Sequence, residues 1–197
     1  MKTATKTAAI PKSSTIFAPI PANGKLLSLD VSSTAIGFAV FRVNKVYPVA
    51  FGRIKHPEKW PDSRRIRANS RLLEEHMAGE CVTHVVMEWQ SPWRASRMPN
   101  ATGLAILGKA QGYMLCVLDR IGLIPDANGD LPIDLVSERE WTQQNGWPAR
   151  KDVRAAQVRL LCPDYAKEVR KNPKWDDGLD VADAIGLALW RLSITGG

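Results

Sequence analysis

The chain lacks the features that mark membrane proteins and proteins stabilised by zinc or disulfides. None of its apolar runs approaches the roughly 18 residues that a membrane-spanning helix needs. Cysteine is scarce: Cys81, Cys116 and Cys162 are odd in number, widely spaced and set among apolar residues. This pattern is typical of reduced core thiols in a reducing compartment, and it favours neither a disulfide framework nor a zinc site.

Acidic residues are missing from residues 1–24, which are rich in Thr, Lys, Ala, Ser and Pro. The segment has no continuous apolar stretch of the kind found in secretory signals. Acid-poor leaders rich in Ser and Thr do resemble organellar transit peptides, but this one contains no Arg and three Pro. We expect residues 1–24 to form a flexible basic tail and residues 25–197 to form one domain; organellar targeting by the tail stays an alternative.

Basic residues outnumber acidic ones, 27 to 20, which gives a formal net charge of +7. Hydrophobic residues make up 45% of the chain and charged residues 24%, as in a globular protein. The positive charge favours an anionic partner such as nucleic acid, although many basic soluble proteins have no such partner.

Alternating apolar residues predict a hairpin at residues 25–41, with Leu27, Leu29 and Val31 on the opposite face from Asp30. Similar patterns predict the remaining elements: strands at 46–54, 82–89 and 131–136, and helices at 62–77, 100–121, 137–140 onward, 151–161 and 178–192. The helix before the fourth strand makes a crossover, which places that strand parallel to the first. The predicted fold is therefore α/β, with a five-stranded mixed sheet of three antiparallel and then two parallel strands, flanked by helices.

Two of the predicted helices carry unusual side chains. The helix at 62–77 contains Arg64, Arg65, Arg67 and Arg71, which we interpret as a solvated face. The helix at 100–121 is interrupted by Gly103, Gly108 and Gly112, each of which costs about 1 kcal/mol relative to Ala. Close packing would compensate for that cost, so we expect a homodimer built around this helix with Leu104, Leu107, Met114 and Leu118 in its interface. The alternative is that this helix packs only on its own sheet.

Four acidic residues are predicted to converge. Asp30 and Glu88 fall near the ends of parallel strands, and therefore at one edge of the sheet. Asp180 and Asp183 are neighbours on the last helix, and Asp183 falls among apolar positions where a carboxylate needs a partner. Four such acids would repel one another unless cations bridged them, and magnesium prefers carboxylate oxygen. Asp176 and Asp177 are explained more simply, as caps of the last helix.

Three stretches, LSLDVSSTAIGFAV, VVMEWQ and LDVADAIGLAL, resemble the RuvC-type Holliday junction resolvases of the ribonuclease H superfamily in order and spacing. The resemblance continues through GLAILGKAQGYML and ARKDVRAAQVRLL, and covers roughly residues 25–192. It implies a ribonuclease H-like fold and a cytoplasmic homodimer, from a bacterial or phage-infected cell, that cuts four-way or other branched DNA junctions. It also implies two magnesium ions per active site, with manganese as a substitute. The catalytic and metal-binding residues would be Asp30, Glu88, Asp180 and Asp183, with Lys151 as a further catalytic and DNA-contacting residue.

The chain departs from that family in its basic and aromatic residues. A family lysine after the fifth strand is absent from SEREWTQQ, and Arg139 and Arg150 are the candidate replacements. Ser91 stands where the family places an aromatic wedge, between Trp89 and Trp93. We expect Trp93 to act as the wedge. The remaining expected DNA contacts are Arg94, Arg97 and Lys109.

Two other functions compete with the nuclease. A non-catalytic nucleic-acid-binding protein could share the fold, but acids close to DNA phosphates weaken binding unless metal lies between them. An actin-like phosphotransferase would need a duplicated domain and a second turn like LDVSST, and neither is present in the sequence.

Overall fold

A computed structural model gives the structure of the protein. It describes residues 17, 19–89, 101–123, 125, 129–143 and 146–194. Across these residues no helix combines the length and the apolar character needed to span a membrane.

One five-stranded sheet forms the centre of the fold, with strand order β3-β2-β1-β4-β5. Its strands are β1 Lys25–Val31, β2 Ala35–Arg42, β3 Pro48–Lys55, β4 His84–Glu88 and β5 Ile133–Val136. The first three pair antiparallel, and β4 and β5 extend the sheet in parallel from β1. The prediction of a mixed sheet with three antiparallel and two parallel strands is therefore confirmed.

Helices cover both faces of this sheet. They are α1 Asp62–Met77, α2 Ala101–Arg120, α3 Glu138–Gln143, α4 Lys151–Leu161, α5 Pro163–Lys171 and α6 Asp180–Ser193. Leu27 and Leu29 join the apolar core formed with α1 and α2, whereas Leu26 joins the core formed with α6. Because alternate residues of a strand point to opposite faces, Asp30 shares the α6 side of the sheet with Leu26.

Helix α5 is missing from the sequence prediction. It has nine residues, five of them charged, and only Tyr165 and Ala166 are buried. So short an apolar stripe gives little periodicity, while Pro163 marks the start of the helix because proline is tolerated in a first turn.

The cysteine prediction is wrong for two of the three thiols. Cys81 and Cys116 are exposed, and only Cys162 is buried. Burial raises the pKa of the Cys162 thiol to about 11. Cys116 lies on α2 but points away from the core, since the buried positions of that helix are occupied by residues such as Met114 and Val117.

Most of the apolar side chains of α2 that were expected in a dimer interface are instead buried in the core of the protein. Leu107, Met114 and Leu118 are buried in the core beneath this helix. Gly108 and Gly112 lie on its exposed side, where an added Cβ would meet no heavy atom of the described residues within 4 Å. Close packing against the described residues therefore does not explain these two glycines, and the homodimer stays a prediction.

Candidate active site

Asp30 and Glu88 lie side by side at the carboxyl edge of the parallel strands. Leu29 pairs with Met87 in the β1–β4 register, and each acid is the next residue of its strand. The two side chains are largely buried, with Asp30 at 7% exposure and Glu88 at 8%. The strand register therefore brings these two acids together, as the sequence predicts.

A close approach of backbone brings α6 to the same edge. Gly37 pairs with Asp30 across β1 and β2, and a Cβ on Gly37 would lie 2.0 Å from the carbonyl oxygen of Asp180. Glycine at position 37 therefore allows the first turn of α6 to rest on the sheet beside Asp30.

Asp176 caps this helix, as predicted. Its carboxylate accepts hydrogen bonds from the backbone N–H groups of Val181 and Ala182, both at 3.1 Å, and from the Tyr165 hydroxyl at 2.8 Å. Two of the four N–H groups that an α-helix leaves unpaired at its start are thereby satisfied. Asp177, the other predicted cap, pairs with Arg53 instead.

Asp183 is almost completely buried and is held by two cationic side chains from α4. Nε of Arg154 donates to Oδ1 at 2.8 Å, and Nη2 of Arg154 donates to Oδ2 at 3.2 Å. Nζ of Lys151 lies 2.8 Å from Oδ2 of Asp183 and 3.7 Å from Oδ2 of Asp30. Lys151 therefore stands between two of the predicted site acids, as its assignment to the site requires.

Arg154 is a site residue that the sequence analysis missed. Its remaining N–H groups donate to Glu138 and to the carbonyl oxygens of Pro148 and Ala149, at 2.8 to 3.1 Å. A buried guanidinium with every donor satisfied is rigidly positioned. One signal was available in the sequence, because Arg154 follows Lys151 by three residues and therefore shares its face of α4.

Glu88 is oriented by a buried aromatic residue. Nε1 of Trp141 donates to Oε2 of Glu88 at 3.0 Å, and the Arg154 guanidinium lies over the Trp141 ring, 4.9 Å from its centroid. A continuous set of contacts thus runs from Glu88 through Trp141 and Arg154 to Asp183. Trp141 is completely buried, so its ring is constrained on all sides.

Asp180 is paired with a cation from the edge strand β3. Its Oδ2 lies 2.8 Å from Nε of Arg53 on β3. Arg53 pairs with Gly37 in the strand register, and Gly37 pairs with Asp30, so all three lie in one row across the sheet. Arg53 is a second cation of the site that sequence reasoning did not identify.

Burial and mutual repulsion shift the proton affinities of this cluster. Burial first, and then the charge of Glu88, raise the pKa of Asp30 well above its ordinary value. Burial likewise raises the pKa of Glu88 to about 7, against the lowering effect of the Trp141 hydrogen bond. Burial would lower the pKa of Lys151, but Asp30 and Asp183 outweigh it and the pKa is raised. Lys151 is therefore charged at neutral pH, and the raised pKa values of Asp30 and Glu88 favour protonation of both carboxyls relative to ordinary acidic side chains.

The donor chemistry of the cluster fits magnesium, although no ligand set is preassembled. Among the described residues, no three His, Cys, Asp or Glu side chains are arranged as a ready-made metal site. Within the described part of the chain, however, Oδ2 of Asp30 is buried without a hydrogen-bond donor. A buried carboxylate oxygen that lacks a donor is a favourable position for a hard cation. Lys151, Arg154 and Arg53 supply the positive charge that balances the acids in this structure.

The predicted DNA contacts divide into three groups. Trp93, Arg94 and Arg97 lie outside the described residues, as does Ser91. Lys109 on α2 and Arg139 on α3 are exposed. Arg150 is also exposed and donates to both carboxylate oxygens of Asp152, at 3.1 and 2.6 Å, so it turns away from the acids that Arg154 reaches.

No protein-family model and no curated protein sequence matches the chain. Solved structures do match. RuvC of Thermus thermophilus in complex with a Holliday junction substrate shares 18% identity with a TM-score of 0.62, and covers 88% of this chain and 96% of its own. A second Thermus thermophilus RuvC structure gives 17% identity, a TM-score of 0.58 and the same coverage, 88% and 96%. The yeast mitochondrial Holliday junction resolvase shares 12% identity with a TM-score of 0.53, over 91% of this chain and 82% of that one. The predicted ribonuclease H-like fold of RuvC is therefore confirmed.

Proposed function

We propose that this protein is a structure-selective DNA endonuclease that resolves four-way or other branched junctions by hydrolysing phosphodiester bonds. One observation carries the proposal. The fold that this chain shares with RuvC sets Asp30, Glu88 and Asp183 at one sheet edge together with a lysine. Titratable groups with strongly shifted pKa values cluster at functional sites, and a lysine among them can bind a phosphate as a point charge.

Asp30, Glu88, Asp180 and Asp183 are the residues that would hold two magnesium ions, or manganese in their place. When bound, such ions activate a water molecule and stabilise the leaving oxygen of a phosphodiester. Asp30 and Asp180 offer the clearest ligands, because the Oδ2 atom of each accepts no hydrogen bond from the described part of the chain.

Lys151 has room to change partners. Its side chain is 48% exposed, whereas the side chains of Asp183 and Arg154 are each 1% exposed. In this proposal the ammonium group balances Asp30 and Asp183 in the free protein and turns to a substrate phosphate when DNA is bound. Arg154 stays in place and keeps Asp183 oriented, as Trp141 does for Glu88.

The wider DNA contacts belong to the same proposal. Trp93 would insert at the branch point, where stacking on an aromatic ring is worth about 1–3 kcal/mol per base. Arg94, Arg97, Lys109, Arg139 and Arg150 would contact backbone phosphates. A homodimer would present two active sites to opposed strands of one junction, and the cytoplasm of a bacterial or phage-infected cell is the proposed location.

A second candidate function is favoured by one specific observation. Because Lys151, Arg154 and Arg53 already form ion pairs with the acids, much of the negative charge of the cluster is offset without a metal ion. A non-catalytic nucleic-acid-binding protein with this fold would have the same property. The two candidates differ in whether bound DNA is cut.

A cleavage panel tests the proposal. Labelled four-way, forked and linear DNA of equal length are incubated with the purified protein in magnesium and in chelator. We expect the four-way junction to be cut fastest, in magnesium only. Equal cutting of all three substrates would contradict the selectivity for branches, and binding without cutting in magnesium would favour the second candidate.

A further inference from the structure

An aromatic and cationic cluster is formed by the loop that joins β3 to α1 and by the first turn of α1. The rings of His56 and Trp60 stack with centroids 5.0 Å apart and an interplanar angle of 30°. The Arg64 guanidinium lies 4.0 Å from the centroid of the Trp60 ring. Trp60 is half-buried and Arg64 is exposed, so the cluster presents its charge to solvent. We refer to His56, Trp60 and Arg64 as the loop cluster.

A buried arginine connects the loop cluster to the turn that follows Asp30. Arg65 is 6% exposed, and its guanidinium donates to the carbonyl oxygens of Ser33 at 3.1 Å and of Trp60 at 3.4 Å. Ser33 is three residues after Asp30 in the chain. The prediction that Arg65 belongs to a solvated face is therefore wrong. This buried side chain holds Trp60 close to the active-site edge.

Asn69 makes a second connection to the same turn. It is 2% exposed, its Oδ1 lies 2.7 Å from Nδ1 of His56, and its Nδ2 donates to the carbonyl oxygen of Thr34 at 3.4 Å. Both the ring that stacks on Trp60 and the Trp60 backbone are thus tied to the turn between β1 and β2. Because Arg65 and Asn69 are both buried and both hold the loop cluster against this turn, the cluster forms a preformed surface site.

The positive charge of Arg64 is available to a ligand. Within the described residues no carboxylate lies within ion-pair distance of its guanidinium. The neighbouring acids have other partners: Glu58 lies 3.2 Å from Nζ of Lys55, and Asp62 pairs with Arg65. An arginine that rests on an aromatic ring loses little further freedom when it binds, and its planar fork matches a phosphate.

We propose that Arg64, supported by Trp60, binds a backbone phosphate of the nucleic-acid strand that enters the active site past the turn after Asp30. The loop cluster lies near the same edge of the sheet as that turn. Lys55 at the end of β3 pairs with Ala35 at the start of β2, which directly follows the turn. The inference rests on the proposed function and names one contact through which that function holds its substrate. The ligand class is the phosphodiester backbone, without preference for base sequence.

The test measures DNA binding as a function of salt, in full-length protein that carries Asp30→Asn so that cleavage does not interfere. The probe is a fluorescein-labelled four-way junction. Arg64→Gln should weaken binding at low salt about tenfold, the loss expected for one charge-assisted contact. It should also reduce the slope of log affinity against log salt by about 0.9, the value for one phosphate contact. Arg64→Lys keeps the charge and should preserve the slope.

Arg71→Gln is the matched control, because Arg71 is exposed on the same helix, two turns further on, and pairs with Glu75. It should leave affinity and slope unchanged. Trp60→Leu should weaken binding to the same extent as Arg64→Gln, and the double variant should be no weaker than either single one, since both remove the same contact. Thermal unfolding of Arg64→Gln should match that of the parent.

Equal affinity and slope for Arg64→Gln and Arg71→Gln would overturn the inference, as would failure of the parent to bind the junction. The proposed nuclease function is judged separately, by cleavage with Asp30 intact. Cleavage together with an unchanged slope in Arg64→Gln would reject the phosphate site alone. An Arg64-dependent slope without any cleavage would reject the nuclease alone.

Discussion

Arg154 holds Asp183 through two hydrogen bonds, Nε to Oδ1 at 2.8 Å and Nη2 to Oδ2 at 3.2 Å, and both side chains are 1% exposed. A carboxylate this deeply buried needs a partner, and here the partner is a guanidinium from the adjacent helix. The pair joins α4 to α6 at the position where α6 meets the sheet. It therefore contributes both to the fold and to the geometry of the candidate active site.

Replacing Arg154 with Met should destabilise the protein strongly. The variant leaves Asp183 buried and without its principal partner, and breaking such a pair from one side costs about 3–5 kcal/mol. Chemical denaturation measures the loss in the free energy of unfolding. Arg159→Met is the control on the same helix, because Arg159 is exposed, and it should change stability little. Equal denaturation midpoints for the two variants would contradict the role assigned to Arg154.

Stability should depend on pH through Glu88. Burial raises its pKa from the ordinary 4.5 to about 7, so between these values the unfolded chain releases a proton that the folded chain retains. The free energy of unfolding in chelator should therefore fall as pH rises from 4.5 to 7, by up to about 3 kcal/mol from this group. Glu88→Gln should remove that part of the slope, and Glu75→Gln, on the exposed face of α1, should not. Parallel stability curves for wild type and Glu88→Gln would show that Glu88 is not the group responsible.

Gly37→Ala should displace the start of α6. The added Cβ would lie 2.0 Å from the Asp180 carbonyl oxygen, and a helix backbone cannot move aside cheaply. We expect a loss of about 1–3 kcal/mol in unfolding experiments, the usual cost of overpacking, together with reduced cleavage. Gly112→Ala is the opposite case: its Cβ would meet no heavy atom of the described residues within 4 Å, and in the middle of a helix it should stabilise the chain by up to about 1 kcal/mol. A neutral Gly37→Ala would mean that α6 does not depend on this contact.

Sequence patterns were sufficient for the sheet and for the acids that lie on it. The alternation in Lys25–Val31 places Asp30 on the face opposite Leu27, and the helical crossover makes β4 parallel, which brings Glu88 beside Asp30. The burial of Asp183 also follows from its apolar neighbours on α6. These features depend on local periodicity and on one topological rule, both of which can be read from the chain.

The cations of the site could not be predicted in the same way. Arg154 reaches an acid 29 residues away, and Arg53 reaches an acid on a helix that follows it by more than a hundred residues. Such pairs depend on how the helices are placed on the sheet. The periodicity of strands and helices does not give the distance between two side chains on different elements. The same reason explains why the sequence pattern of α1 does not predict that Arg65 is buried against the turn after Asp30.

We propose that the acids around Asp30 form the catalytic centre of a junction-cutting nuclease. Cleavage of a labelled four-way junction by wild type and by Asp30→Asn, purified in parallel and cleared of contaminating nuclease, tests it most directly. We expect wild type to cut the junction in magnesium and not in chelator, and we expect Asp30→Asn to fold and bind the junction without cutting it. Cutting by Asp30→Asn at the wild-type rate, or a wild type that binds the junction in magnesium without cutting it, would contradict the claim.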